Sequence, residues 1–380
     1  MDIYLDSAAT TKCNDQVILS MNQFLADHYG NASSPHKMGK IAQHAVNVAR
    51  TKIANALCVS PTEVVFTSGA TESNNIVIQG AFGYGETAPA NAVFCPIDHK
   101  STIEVSKELS RRGVEVRYVK VGRDGRVCLS SLEALIDDNT RLLSISYVNS
   151  EIGTFQDLDQ ISRLCESRQL ILHIDAAQAF GKLKLEVENS RVDCISLSAH
   201  KIGGPKGVGA LYVRKATQQR LRPLTFGGER NSLRSGTLPT QLIVGLGVAC
   251  EMRGGADLES EWNHLTALRD LFLSGLSSAG VTYEVNSSLD VSVPHILNIG
   301  FQGVRAETLI SSLDTICIAS GSACNSESME PSYVLKGIGM SDQSANCSVR
   351  ISLHPDISRS QIEDAARIVA NKVLQLQSLV

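Results

Sequence analysis

Short apolar runs alternate with amphipathic stretches through the first two-thirds of the chain. Runs at 63–67, 92–95, 114–121, 142–148, 170–174, 194–197 and 209–213 are rich in Val, Ile, Leu and Tyr. Such short apolar runs predict strands buried on both faces. Between several of them, segments 72–80, 101–112, 132–136 and 158–168 carry apolar residues at helical spacing. Strand and helix in alternation predict an α/β fold with a mainly parallel sheet covered by helices on both sides. The last third differs. A long helical pattern at 258–276 is followed by strand-like segments at 296–301 and 349–353 and a terminal helix at 359–376. This reads as a smaller α+β domain. No repeat, low-complexity segment or Pro-rich linker separates it from the first part.

Composition narrows the function classes. The net charge of −4 gives no basic excess of the kind that phosphate-backbone binding needs, so no direct grip on nucleic acid is expected. No apolar run approaches the roughly 18 residues of a membrane span. The longest, at 242–250, is broken by glycines. The opening MDIYLDSAATT has early acidic residues and no apolar core of a secretory leader, so a cytoplasmic protein is expected. The ten cysteines are then reduced. They include no C-x-x-C pair, and neither a metal site nor a redox dithiol is expected. Cys58, Cys95, Cys194 and Cys250 sit in apolar contexts and read as small buried hydrophobes.

In open α/β sheets, ligands bind beyond the carboxyl ends of the strands. Four post-strand segments carry chemistry. In Thr67-Ser68-Gly69-Ala70-Thr71-Glu72-Ser73-Asn74 a strand gives way to a helix start, whose free N–H groups suit a phosphate; taken alone, a plain N-cap with a capping box is the better reading. In Ile174-Asp175-Ala176-Ala177-Gln178 a carboxylate follows an apolar strand and needs a cation or donors. A protonated pyridine nitrogen is one such cation; capping of the next helix is the structural alternative. Ser196-Leu197-Ser198-Ala199-His200-Lys201 and the glycine-rich turn after it place a lysine at a strand end, where desolvation can free its amine for a Schiff base. A solvated loop lysine is the bland reading. His99 follows a strand in Ile97-Asp98-His99-Lys100 and can stack on an aromatic ring and carry a proton, or merely begin a helix.

Together and in this order, the segments resemble the class V pyridoxal-phosphate enzymes, and among them the cysteine desulfurases. The likeness runs from Tyr4-Leu5-Asp6-Ser7-Ala8-Ala9-Thr10-Thr11 to Val349-Arg350-Ile351-Ser352-Leu353. It implies a type I pyridoxal-phosphate transferase fold, with a seven-stranded large domain at 13–256. The small domain then comprises 1–12 and 257–380. By resemblance, Lys201 forms the Schiff base with pyridoxal 5'-phosphate and Asp175 pairs with the pyridinium nitrogen. Gln178 bonds the phenolic oxygen and His99 stacks on the ring. Thr71, Ser198 and His200 hold the phosphate, with Ala70 offering its N–H. Thr237 reaches the phosphate of the other subunit, which implies a homodimer.

Ser320-Gly321-Ser322-Ala323-Cys324-Asn325-Ser326 contains little that packs, and with its flanks (about 318–333) it reads as a mobile loop. An incidental thiol is one reading. The resemblance supplies another: this is the desulfurase subgroup that carries its sulfur nucleophile on a long arm. About five extended residues span roughly 16 Å, so Cys324 could travel between the cofactor and a sulfur-acceptor protein. The implied reaction takes L-cysteine to alanine, with Lys201 removing the Cα proton, Cys324 taking the sulfur as a persulfide and His99 moving protons at sulfur. Arg350 and Asn149 hold the substrate carboxylate.

The chain departs from the usual family pattern at Asn149-Ser150-Glu151, at Phe226-Gly227-Gly228-Glu229-Arg230 and at Leu353-His354-Pro355. A transaminase is disfavoured by Cys324. A selenocysteine lyase and a silent sulfur-transfer scaffold stay open. For destination, Pro294-His295-Ile296-Leu297-Asn298, the glycine-rich turn at 204–211 and the Pro355 ending resemble desulfurases of DNA phosphorothioation systems more than housekeeping enzymes of iron–sulfur assembly and tRNA thiolation.

Overall fold

The computed structural model describes residues 2–83, 90–185, 187, 190–227, 233–321 and 330–379. Seven strands form the main sheet, in the spatial order Val64–Thr67, Gly209–Val213, Cys194–Ser198, Ile171–Asp175, Thr140–Ser146, Asn91–Phe94 and Glu115–Tyr118. The last five are mutually parallel, and Gly209–Val213 runs against both its neighbours.

Successive residues of a strand point to opposite faces, and both faces here are covered. Ala92, Phe94, Leu142, Leu211 and Val213 pack with Ile76, Val77 and Leu109 of the helices Ala70–Gly80 and Lys100–Arg111. Val93, Leu143, Ile145, Leu172, Ile174 and Tyr212 belong to the opposite layer with Val46, Ile53 and Leu246. Burying one such large side chain contributes about 1.5–3 kcal/mol. That layer contains the helices Lys37–Leu57 and Thr240–Gly254, which approach so closely that a Cβ on Gly247 would lie 2.7 Å from the Ala49 Cβ.

The strand expectations hold apart from their ends, but three of the longer helices were not anticipated. Asp15–Ala26 buries Val17 while Ile18, Leu19 and Leu25 face outward, so no single apolar stripe marks it. Lys37–Leu57 buries largely small residues, Gly39, Ala42, Ala49 and Ala54 among them. Thr240–Gly254, expected only as a glycine-broken apolar run, is apolar nearly all round.

The C-terminal part has its own four-stranded antiparallel sheet, in the order Ala319–Ser320, Ser348–Ser352, Ile296–Gly300 and Glu284–Val285. The helices Leu258–Ser278 and Arg359–Gln377 contribute to its separate apolar core around Phe272, Phe301, Ile362 and Val369. Ile3 and Leu5 join that core, and Ile3–Tyr4 pairs with Ile316–Cys317. The chain's first residues therefore pack with its last third, and the segment after them crosses beneath the main sheet's carboxyl edge.

Candidate active site

Parallel strands end together, and here their ends are chemical. Ser146, Asp175 and Ser198 are each the last residue of a strand, and all three line a cleft of about 610 Å³. Ala70, Thr71, His99, Gln178, His200, Lys201 and Arg350 line the same cleft. The sequence had distributed these residues over 280 positions, from Ala70 to Arg350 (350 − 70).

The helix Ala70–Gly80 begins without a side-chain cap. The anticipated capping box is absent: the Glu72 carboxylate instead accepts from the Ser68 N–H and pairs with Arg234 at 3.2 Å. The first N–H groups of this helix are left for a ligand, at the positive end of its dipole. Gly69, with φ +152°, makes the turn, and Gly209 lets the strands close beside it: a Cβ there would lie 2.3 Å from the Leu197 carbonyl oxygen. Ser198, His200, Lys206 and Gly207 complete this corner. Burial and the nearby Lys201 and Lys206 charges push the His200 imidazole down to about 4. It is therefore neutral at pH 7 and keeps one N–H to donate. The corner could hold a phosphate.

Asp175 is buried. Its carboxylate accepts from the Asn74 side chain at 2.7 Å and from the Ala177 N–H at 3.0 Å. Behind it on the same strand, His173 bridges the Ser144 and Ser196 hydroxyls at 2.8 and 2.9 Å, and burial pushes it down to about 4. Asp98 nearby is pushed up to about 8 by burial, so it is largely protonated at neutral pH. Asp175 thus faces a neutral imidazole and a mostly neutral acid, which leaves its carboxylate to pair with a cation in the cleft.

Lys201 sits on a short 3₁₀ turn after its strand, and its amine donates to the carbonyls of Ala8 and Ala9. Gln178 is held between two neighbours. Its Nε2 donates to the Ala8 carbonyl at 2.7 Å, and its Oε1 accepts from Lys182 at 3.1 Å. His99 caps the helix Lys100–Arg111, with Nδ1 accepting from the Ser101 N–H at 3.1 Å. This fixes the neutral ring as the Nε2–H tautomer, with the proton on the nitrogen free of the cap. Arg350 is buried, donates to Asp6 at 2.7 Å and to the Ser150 carbonyl at 2.9 Å, and lines the cleft.

Asn149, expected to hold a substrate carboxylate, is not among the residues that line the cleft. Its amide nitrogen donates to the Ile97 carbonyl at 2.7 Å, and its oxygen accepts from the N–H groups of Glu151 and Ile152. It builds the turn that delivers Ser150 and Glu151 to the cleft wall. Thr237 is exposed and lies outside its own chain's cleft. Cys324 lies outside the described residues, but Gly321, Pro331 and Ser332, which flank its segment, all line the cleft.

Sequence reasoning passed over Glu151, Lys206, Lys182 and Asp6 as site residues. Glu151 was visible only as the third letter of Asn-Ser-Glu. It is buried, near Arg350 and hydrogen-bonded to Ser332, and burial pushes its carboxyl up to about 7. Among the described residues, no group of His, Cys, Asp and Glu has the arrangement of a metal site. None of their helices is long and apolar enough to cross a membrane.

A phosphate cradle, a buried carboxylate and an amine at neighbouring strand ends fit pyridoxal 5'-phosphate, which needs all three. Residues 3–364 match the family model for aminotransferase class-V. Cysteine desulfurase IscS of Neisseria meningitidis serogroup C is 41% identical over 379 residues, covering 99% of this chain and 93% of that protein. A solved NifS-like protein superposes with a TM-score of 0.90 at 34% identity over the whole of both chains. SspA in complex with cysteine gives 0.83 at 36% identity, covering 93% of this chain and 99% of the other. DndA from Streptomyces lividans gives 0.77 at 36%, with 92% and 99% covered. With this cleft and these relatives, the chain belongs to the class-V aminotransferase family and, within it, to the pyridoxal-phosphate-dependent cysteine desulfurases.

Proposed function

We propose that this cysteine desulfurase takes the sulfur of L-cysteine onto Cys324 as a persulfide and hands it to a separate acceptor protein. The observation that carries the reading is the convergence of Lys201, Asp175, Gln178, His99 and Arg350 on the cleft that also receives both ends of the Cys324 segment.

Each residue has a role that its contacts allow. The uncapped helix start with Thr71, Ser198 and His200 would hold the cofactor phosphate. Asp175 would pair with the ring nitrogen, Gln178 would donate to the ring oxygen, and Lys201 would make the covalent link. When bound, the cofactor supplies an electron sink for the substrate Cα. Arg350, clamped by Asp6 and Ser150, orients the substrate carboxylate. Lys201 would take the substrate Cα proton and return it within the cleft. The Cys324 thiolate attacks the substrate sulfur. The S–S bond forms as the Cβ–S bond breaks, and the electron pair of that bond passes to the substrate carbon, which leaves as alanine after protonation. His99, donating from Nε2, is placed to manage the proton at sulfur.

The cleft is completed by a second copy of the chain. Ile18, Leu19, Leu25 and Tyr29 present large apolar groups outward on and just after one helix, with Leu19 66% and Tyr29 75% exposed. Exposed apolar groups gathered this way favour an interface. Thr237, which does not reach its own cleft, serves the partner's.

The destination of the sulfur is set by the acceptor. Identity to IscS, at 41%, exceeds the 36% to DndA. The comparisons therefore give a DNA-directed route no advantage over iron–sulfur assembly, and the proposal stops at the acceptor protein.

The test is mass spectrometry after treatment with L-cysteine. One added sulfur is expected on the peptide carrying Cys324, and none in Cys324→Ser or Lys201→Ala. Sulfur found instead on Cys317 or Cys347 would overturn the assignment.

A further inference from the structure

A second cleft, of about 620 Å³, lies on the other side of Lys201, which lines both. Nothing in the desulfurase reaction uses it. Its wall carries Lys182, His295 and His354 together with Arg253 and Glu261. The last two are spent on each other through two hydrogen bonds of 2.9 and 2.8 Å. His295 is 6% exposed, and its Nε2 is fully buried without a hydrogen-bond partner among the described residues. A buried imidazole nitrogen left in this state is costly unless something in the cleft meets it. Leu353 donates its N–H to the His295 carbonyl at 2.9 Å, which brings the turn carrying His354 alongside. Lys182 has one hydrogen bond, to Gln178, among the described residues, and an ammonium has three donors.

The electrostatics point the same way. Burial, then the charges of Lys201 and Arg253, push Lys182 down to about 7. Burial and the Lys182 and Arg253 charges push His295 down, and His354 is lowered by burial with the same two cations adding to it. Against them stand Glu261, already paired, and Asp356, which contacts His354 at 3.3 Å. Asp2, Asp15 and Lys12 are exposed at the rim. The cleft interior is therefore a set of cationic and protonatable groups that suppress one another, and a negative charge among them would relieve all three.

We propose that the second cleft binds a small oxyanion or carboxylate between Lys182, His295 and His354. The occupant is coupled to the first cleft. It holds Lys182 in the ammonium form, and that ammonium fixes the Gln178 amide with its oxygen turned away from the Ala8 side. This site does not depend on which protein accepts the sulfur.

The test uses the cofactor-loaded protein, so that the phosphate cradle of the first cleft is filled. Crystals soaked in selenate should show an anomalous selenium peak in the second cleft, within hydrogen-bond reach of Lys182 and His295. Calorimetric titrations with sodium sulfate and, separately, sodium acetate distinguish a tetrahedral oxyanion from a carboxylate as the better ligand. Binding of the better one should weaken at least tenfold in Lys182→Met and in His354→Ala. It should tighten at least fivefold from pH 8.5 to pH 6, because protonation of Lys182 in that range favours the anion. His354→Ala, at a half-exposed position, keeps the test valid if Lys182→Met does not fold. No selenium peak with no heat from either anion, or binding undiminished in the variants, would overturn the site.

Discussion

Arg350 and Asp6 meet at 2.7 Å across the wall of the first cleft, joining the strand Ser348–Ser352 to the segment that follows the N-terminal strand. The pair is buried on the arginine side, and the Arg350 Nε, also buried, has no partner among the described residues. Asp6 and the Ser150 carbonyl therefore fix the guanidinium, and the unsatisfied donor is available to an incoming carboxylate. Arg350→Lys keeps the charge but loses the planar fork. A hydrogen bond to a charged group is worth about 1.5–3 kcal/mol, so KM for cysteine should rise roughly 10- to 100-fold, with a smaller change in kcat. Asp6→Asn should move KM in the same direction by less. Steady-state kinetics decide it: a fall in kcat at unchanged KM would show that Arg350 does not hold the substrate.

Lys201→Ala should lose the covalent attachment of the cofactor and with it the turnover. The uncapped helix start, Ser198 and Asp175 remain, so the variant should still retain cofactor without the link. The absorption spectrum after borohydride treatment reads the covalent bond directly: a reduced, permanently attached cofactor is expected in the wild type and not in the variant. Normal turnover in Lys201→Ala would remove the lysine from the mechanism.

Glu151 gives a pH-dependent prediction. Burial raises its carboxyl to about 7, so the folded protein holds a proton there that the unfolded chain releases near pH 4.5. The folded state binds more protons between those values, and stability falls as pH rises through them. The full difference is on the order of 3 kcal/mol by the conversion of about 1.4 kcal/mol per unit. Glu151→Gln should remove this slope, so that denaturant midpoints measured at pH 5 and pH 8 differ less than in the wild type. An unchanged slope would place the titration elsewhere, Asp98 being the next candidate.

The same residue constrains the Cys324 segment. A Cβ on Gly321 would lie 1.7 Å from the Glu151 Oε1, and Ser332, beyond the other end of the segment, hydrogen-bonds Glu151. Gly321→Ala should therefore cut persulfide formation on Cys324 severely. Glu151→Ala should restore part of it in the double variant, because the clash partner is gone. Two residues in contact are where such non-additivity is expected. Strictly additive effects would mean that Gly321 is needed for another reason.

The sheet was legible because most of its strands are buried on both faces and read as apolar runs, the edge strand Glu115–Tyr118 being the exception. The residues at their ends were legible because the chemistry sits where the runs stop: Asp175 and Ser198 each follow one directly, and Lys201 sits on the short turn after Ser198. Asn149 shows the limit. The family resemblance placed it at the site; its amide oxygen closes a local turn onto Glu151 and Ile152, while its amide nitrogen reaches the Ile97 carbonyl, a long-range contact that leaves no trace in local pattern. Lys182 was missed for the converse reason. It sits in an unremarkable Gly-Lys-Leu stretch, and only the fold brings it to Gln178 and beside His295 and His354. The helix Asp15–Ala26 escaped because its apolar residues point two ways.

That two-way pattern carries the last prediction. Leu19 and Tyr29 are large, apolar and mostly exposed, and a single chain gains nothing by presenting them to water. If they meet a second copy, a charge at either position is buried in the interface or must be kept out of it. An unpaired buried charge costs several kcal/mol, more than enough to dissociate a moderate dimer at micromolar concentration. Leu19→Glu with Tyr29→Glu should therefore sediment as a monomer. Neither residue lines the chain's own cleft, so any loss of cofactor affinity must come through the missing partner. Thr237→Ala separates the two effects. It should leave the dimer intact and weaken cofactor binding alone, because its hydroxyl is proposed to reach only the partner's phosphate. A Leu19→Glu, Tyr29→Glu protein that stays dimeric, or a monomer with undiminished cofactor affinity and turnover, would show that each chain completes its own site.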